Sequence, residues 1–515
     1  MAIEAEVHSS LLSLLRLGKN QALGIATNWQ HHLTMGRLVA RALRLERSAL
    51  IQTALKSDRL QVPYRLSYLT PALLWKSAVI LVVTESIQEQ ILQVEIPYLQ
   101  AWLKTDKEIV VGFPSTALSK TCFPNPDFSG LLLVSPQSWL AAQLEPLAQF
   151  PTGIPTLIDG ADRLQTWIDE ALTVAIHPKD WSTLMQQYPE SGELIRDVRV
   201  ALTKAVFSHP PNPYESYLVT EAEQAGLRHL IDSLGLGDIS GSVWQKFALP
   251  TTQPVVWAKI ERSLGLFSLF SIPVTIADRL APIWNRQPVV LVGGAVELDP
   301  QAPIYRSQLG LGELTCLKFS RDRQTELIEL YIPKRFPLPN TPQYQTALIQ
   351  QISLLLKVCW QKDTLAVIII GDSPLKTQVA AFLASEFGSQ VQLEKVSPSW
   401  AGILVSGWKF WQQEQDRLPP PHLMIIATLP IPSVESPLVA GRVAHYKHQR
   451  QDWFRLYLLP AALRELQRAI APVRERQGVV ALLDSRVNYR SYGQDVLAAL
   501  SPYNRINYPD RSWFT

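Results

Sequence analysis

Cysteine is scarce in this chain. Its three thiols, Cys122, Cys316 and Cys359, stand far apart among 515 residues and form no CxxC pair. That excludes a disulfide scaffold and fits a reducing compartment such as the cytoplasm. Charge is sparse too: charged residues make up 18%, against ~25% in an average soluble protein. The net charge of +3 is too small to indicate a nucleic-acid partner by itself, so any basic groove must be local. No apolar run reaches the ~20 residues that span a bilayer. Glu4 and Glu6 stand where a signal peptide would be basic, so the start reads as an amphipathic helix and no membrane partner is expected. Low-complexity tracts and internal repeats are also missing.

What is present is apolar and periodic. Hydrophobic residues reach 47%, and the length calls for about two to four domains built on large buried sheets. The best-organised stretch is 452–493. Pro460 suits a first helical turn, and Ala462, Leu463, Leu466 and Ile470 form one apolar stripe, with Arg464, Glu465 and Arg468 on the other faces. Pro472 should end that helix. After Gln477-Gly478 comes GVVALLD, a short apolar run closing on a carboxylate, the pattern of a central parallel strand. Similar runs recur at 48–54, 78–83, 130–135, 156–159, 287–294, 364–371 and 401–406, most of them followed by helical periodicity. Alternating strands and helices in both halves predict α/β domains with parallel sheets.

The order of parts in 452–493 resembles the C-terminal end of the DinG/XPD-like (Rad3-related) family of ATP-dependent DNA helicases. The likeness extends along nearly the whole chain. The segment 401–438 is similar to the family's Ser-Phe-Trp-Glu-Gly and Leu-Pro-Phe-x-x-Pro motifs through Gly407, Phe410, Trp411, Leu429, Pro430 and Pro437, with Gln412 and Gln413 in place of the Glu and Gly. The resemblance implies two RecA-like parallel-sheet helicase domains with a mainly helical insertion. It places the first domain at 1–166, an arch-like insertion at 167–286, the end of the first domain and a linker at 287–342, and the second domain at 343–515.

The catalytic positions depart from the family pattern. A working phosphate loop needs glycines whose amides close on phosphate, a lysine, and a hydroxyl that holds Mg²⁺. Residues 55–64 contain no glycine, and counting back from Pro71 puts Tyr64 at the lysine position and Arg65 at the Ser/Thr position. The family's Asp-Glu-Ala-His box reads Asp159-Gly160-Ala161-Asp162: the metal-side carboxylate stays, the general base is glycine and the coupling histidine is aspartate. A strand-end helix cap is the competing account of Asp159. The hydroxyl-rich Ser-Ala-Thr corresponds to Gly293-Gly294-Ala295. In the last motif Gln467 and Arg474 keep their places, while Ala471 replaces an arginine, and Arg468 and Ile470 replace glycines.

The resemblance also nominates contact residues. Gln30 and Arg37 stand where the family touches adenine, and Lys56 or Arg59 could meet a phosphate. Thr84 and Gln88 occupy a corner that grips the DNA backbone, although helix capping explains Thr84 equally well. Arg442, Lys447 and Arg450, interleaved with Tyr446, Trp453 and Phe454, are the best local candidates for phosphate contacts, and Phe410 and Trp411 of the matched motif are further candidates for nucleic-acid contact. Trp181, Trp244 and Trp257 in the insertion read better as core than as stacking platforms. Only Cys122 falls where many relatives carry four cysteines, so no iron–sulfur cluster is expected.

Losing one electrostatic element commonly costs ~10²–10³ in rate, and here several are missing together. The expectation is a helicase fold without turnover, acting as a nucleic-acid-binding or scaffold protein in DNA metabolism. ATP and Mg²⁺ would be cofactors only if the nucleotide site survives. Single-stranded DNA or another nucleic acid and a protein are the expected partners. Two alternatives stay open: a working 5′-to-3′ helicase with an unorthodox nucleotide site, and a protein-interaction module without nucleic acid.

Overall fold

The computed structural model describes residues 3–18, 29–54, 62–112, 123–125, 127–144, 151–238, 241–248, 254–361, 363–396 and 401–508. The apolar runs form strands β1 (Ala49–Gln52), β2 (Val79–Val82), β3 (Ile109–Val111), β4 (Leu131–Val134) and β5 (Thr156–Asp159). With β10 (Val289–Gly293) and β11 (Thr315–Lys318) they make one seven-stranded sheet, ordered β11-β1-β10-β5-β2-β4-β3. All its pairings are parallel. Its central strands are buried at every position because helices cover both faces, which is why they read as unbroken apolar runs. Side chains alternate between two cores: Ile51, Leu81, Leu133 and Val292 on one face, Leu50, Ile80, Leu132 and Leu291 on the other. Burying each such side chain contributes roughly 1.5–3 kcal/mol.

The second sheet has the same build. β12 (Ile328–Tyr331), β13 (Leu365–Ile369), β14 (Val391–Leu393), β15 (Gly402–Ser406), β16 (Leu423–Ile426), β17 (Val479–Leu482) and β18 (Tyr503–Ile506) run parallel in the order β14-β15-β13-β16-β17-β12-β18. These are the two parallel-sheet domains that the sequence pattern predicts and that the resemblance implies to be RecA-like.

Two boundaries differ from expectation. β12 pairs with β17 and β18, so the chain has already crossed to the second domain by residue 328, inside the stretch assigned to the first domain and linker. The helix Ala277–Arg286 sends Leu280, Ile283 and Trp284 into the first-domain core, although the insertion was expected to run to 286. The insertion is mainly helical, as the resemblance implies, and also carries a small sheet. Four strands, β6 (Val174–Ile176), β7 (Ser216–Leu218), β8 (Pro254–Glu261) and β9 (Leu266–Pro273), form an antiparallel sheet ordered β6-β9-β8-β7. Trp181 and Trp244 pack together in the insertion's core, and Trp257 stacks on Phe270. The insertion reaches the second domain at Gly441 on the helix Pro437–His448, where a β-carbon would come within 2.6 Å of Val255.

Candidate functional site

Open parallel sheets bind ligands in the crevice beyond the carboxyl ends of their strands. In the first sheet that crevice lies where β1, β10 and β5 end, and Asp159 closes β5. The chain's own side chains occupy both oxygens of that carboxylate. Tyr64 donates its hydroxyl to Oδ1 at 2.8 Å, and Tyr68 donates to Oδ2 at 2.7 Å. Arg65 Nε lies 3.5 Å from Oδ2, and its Nη1 reaches Glu95 Oε1 at 3.3 Å. The donors come from the start of the helix Arg65–Leu74, the element that follows the loop after β1. Tyr64, Arg65 and Tyr68 are completely buried, and Asp159 is 2% exposed.

Such a cluster has strong electrostatic consequences. Burial pushes the Asp159 carboxyl up, opposed by Arg65 and the two tyrosine hydroxyls. Burial lifts Glu95 to about 7, outweighing its attraction to Arg65. Both tyrosines are held far above the ordinary phenol value by burial and by the Asp159 charge, so they act as fixed neutral donors. Burial works against the Arg65 cation, but the surrounding hydroxyls and carboxylates outweigh it.

The positions beside Asp159 are closed by packing. Gly160 has φ +116°, and a β-carbon there would overlap the indole of the buried Trp167. At Gly293 a β-carbon would lie 2.8 Å from the Asp162 amide nitrogen, while Gly294 N–H donates to Asp162 Oδ1 at 3.3 Å. Beyond the end of β11, Phe319 stacks on His31 with centroids 4.6 Å apart, and Trp29 meets both Phe319 and Tyr64 edge-on. An aromatic cluster thus continues the Tyr64 wall toward Gln30.

Across the domain interface the first domain offers three acceptors after β5. Arg468 Nε lies 3.5 Å from Asp162 Oδ2, and its Nη2 donates to the Asp162 carbonyl at 3.0 Å. Arg464 donates to Gln165 Oε1 at 2.9 Å, and Arg442 takes both oxygens of Asp169. Arg464 and Arg468 share the helix Leu459–Ala469.

The other nominated residues scatter. Arg474 is buried in the second domain, where its guanidinium donates to the carbonyls of Glu326, Leu500, Ser501 and Pro502 rather than to a nucleotide crevice; burial and the Arg321 charge lower it to about 9. Trp411 is fully buried, its indole N–H on the Ala469 carbonyl, so it is core and not a base platform. Phe410 is half-buried against the same core. Gln88 turns inward and donates to the Val83 carbonyl at 3.0 Å, and Arg442 is committed to Asp169, so neither faces a phosphate. Thr84 takes the N-cap position of the helix Glu85–Gln90 without a side-chain cap bond. Gln30 and Arg37 are exposed. Gln467 lines an interdomain cavity of about 210 Å³ with Glu297, Arg455 and Asp495. Lys447 and Arg450 are exposed, and Lys447 lies over the Trp453 ring at 5.2 Å. Lys56, Arg59 and Cys122 fall outside the described residues. Among the described residues, no three His, Cys, Asp or Glu side chains are placed to hold a metal, and no helix is long and apolar enough to cross a membrane.

No family model matches the chain. It is similar to the ATP-dependent DNA helicase YoaA of Haemophilus influenzae, 26% identical over 266 residues, covering 46% of this chain and 39% of that protein. The same-named Escherichia coli protein is 23% identical over 255 residues, covering 46% of this chain and 40% of its own. The matches thus span about two fifths of these relatives' length. Among solved structures, an XPD helicase superposes with a TM-score of 0.61 at 14% identity, covering 94% of this chain and all of that one. Xpd4 of S. tokodaii gives 0.59 at 13%, covering 93% of this chain and all of its own.

Proposed function

We propose, from the premise that this chain has a DinG/XPD-like helicase fold, that it is a non-hydrolysing member that binds single-stranded nucleic acid and serves as a scaffold. The observation that carries this reading is the saturation of Asp159 by Tyr64, Tyr68 and Arg65. A Mg²⁺-assisted phosphoryl transfer needs a free carboxylate on the metal side, a base or water-orienting group beside it, and cations on the phosphates. Here the carboxylate is bonded twice by tyrosine, the neighbouring position is a glycine packed under Trp167, and the buried cation serves two carboxylates. The side chains present do not suit ATP·Mg²⁺.

The nucleic-acid half of the reading rests on the exposed Lys447 and Arg450 beside Trp453, a rim where cations and an aromatic face stand together. Phosphate release from ATP, measured with and without single-stranded DNA against Asp159→Asn, tests the first half. We expect no turnover above the variant's background. DNA-stimulated release that disappears in Asp159→Asn would reject it. Binding of a labelled single strand at low salt tests the second half, with affinity expected to fall steeply as salt rises.

A further inference from the structure

A second interdomain cavity, of about 260 Å³, lies apart from the Asp159 crevice. On one side stand Gln165, Thr275, Ser307 and Gln308 of the first domain. On the other is one face of the helix Pro437–His448, extended by one residue: Arg442, His445, Tyr446 and Gln449 fall at i, i+3, i+4 and i+7. Its chemistry is neutral. No carboxylate lines it among the described residues, and its guanidinium, Arg442, is already balanced by Asp169.

What remains is a set of primary amides, Gln165, Gln308, Gln449 and Gln451, each able to donate and accept. Gln308 is held by its Nε2, which donates to the Leu456 carbonyl at 2.8 Å, while its buried Oε1 meets no donor among the described residues. An enclosed acceptor without a partner is unfavourable until a ligand N–H supplies one. Tyr446 and Tyr457, stacked at 6.0 Å and 15°, give the cavity a flat aromatic wall. The volume falls below the ~300–1,000 Å³ that enclose drug-sized ligands, which suits a single ring system. Lys447 and Arg450, on the same helix and just beyond it, are exposed.

We propose that this pocket takes one unstacked base of a single-stranded nucleic acid, with Gln308 and Gln449 on the base edge and the phosphates following Lys447 and Arg450. An uncharged planar heterocycle with alternating donors and acceptors is the ligand that amides and an aromatic wall recognise together. The inference rests on the nucleic-acid-binding reading above and gives it a specific subsite.

Fluorescence anisotropy at low salt tests it, using oligo(dA) and an abasic sugar–phosphate strand of equal length. Wild-type protein is compared with Gln308→Ala and with Gln449→Ala, whose exposed position leaves folding intact. The expected result is tighter binding of oligo(dA) than of the abasic strand, a loss of roughly tenfold for oligo(dA) in each variant, the scale of one amide–base contact, and unchanged abasic affinity. Variants that bind oligo(dA) as wild type does would overturn the pocket while the nucleic-acid reading stands. Failure of wild type to bind either strand would overturn both.

Discussion

Arg442 holds both carboxylate oxygens of Asp169, at 2.8 and 2.6 Å, from the opposite side of the domain interface. Asp169 is the last of three first-domain residues, with Asp162 and Gln165, that each take an arginine of the second domain. Gln165 and Asp169, at i and i+4, share one face of the helix Leu164–Leu172, and Asp162 stands in the turn just before it. Removing one partner of a largely buried pair strands the other charge, which costs about 3–5 kcal/mol. Arg442→Ala should therefore lower stability by roughly 3 kcal/mol and enlarge the radius of gyration in solution scattering. Asp169→Ala added to it should recover part of that loss. Additive losses in the double variant would show that the two side chains do not act as a pair.

Tyr64 and Tyr68 each supply one hydrogen bond to a buried carboxylate, a type of bond worth about 1.5–3 kcal/mol. Tyr64→Phe and Tyr68→Phe should each destabilise by that amount in denaturant titrations. The double variant should depart from the sum because both act on Asp159. ATP should not raise the thermal midpoint of any of these proteins. A nucleotide-dependent rise in the phenylalanine variants would mean that the tyrosines alone exclude nucleotide.

The strands were legible because parallel strands buried on both faces must be apolar throughout, as Leu131–Val134 and Leu365–Ile369 are. Counting from Pro71 assigned Tyr64 and Arg65 to the lysine and hydroxyl positions of the loop, and the fold shows them turned onto Asp159. Periodicity put Arg468 off the apolar stripe of its helix, and a single helix cannot reveal that the first domain covers that side. Trp411 matched a motif, yet a motif does not say which way its ring points. The hairpin Pro254–Glu261 with Leu266–Pro273 was missed although part of β8, Val256 to Glu261, alternates buried with half-buried or exposed positions and Gly265 turns at φ +63°.

Glu95 gives the fold a pH dependence of definite sign. Its carboxyl rises from 4.5 to about 7 on folding, so between those values the folded state binds more protons than the unfolded one. Stability attributable to this group is thus present at low pH and lost as pH rises through about 7, by on the order of 3 kcal/mol at 1.36 kcal/mol per unit. Thermal midpoints at pH 5 and pH 8 should differ more in the wild type than in Glu95→Gln, which removes the titration. Equal differences in the two proteins would exclude Glu95 as the source.

On the resemblance, Gly160 occupies the position of the family's general base, and the surrounding structure opposes a side chain there. Gly160→Glu meets two obstacles: a φ of +116° that L-residues rarely adopt, and an indole in the path of its first side-chain carbon. Strain of this kind costs ~1–3 kcal/mol and overpacking a similar amount. The variant should therefore lose about 3 kcal/mol or more without gaining turnover, because Asp159 remains bonded to Tyr64 and Tyr68. Adding Trp167→Ala removes the overlap but not the backbone strain, so it should restore only part of the stability. Thermal denaturation and phosphate release measured together decide the matter. Wild-type stability with DNA-stimulated hydrolysis in Gly160→Glu would mean that a single missing carboxylate, and not the closed crevice, separates this fold from a motor.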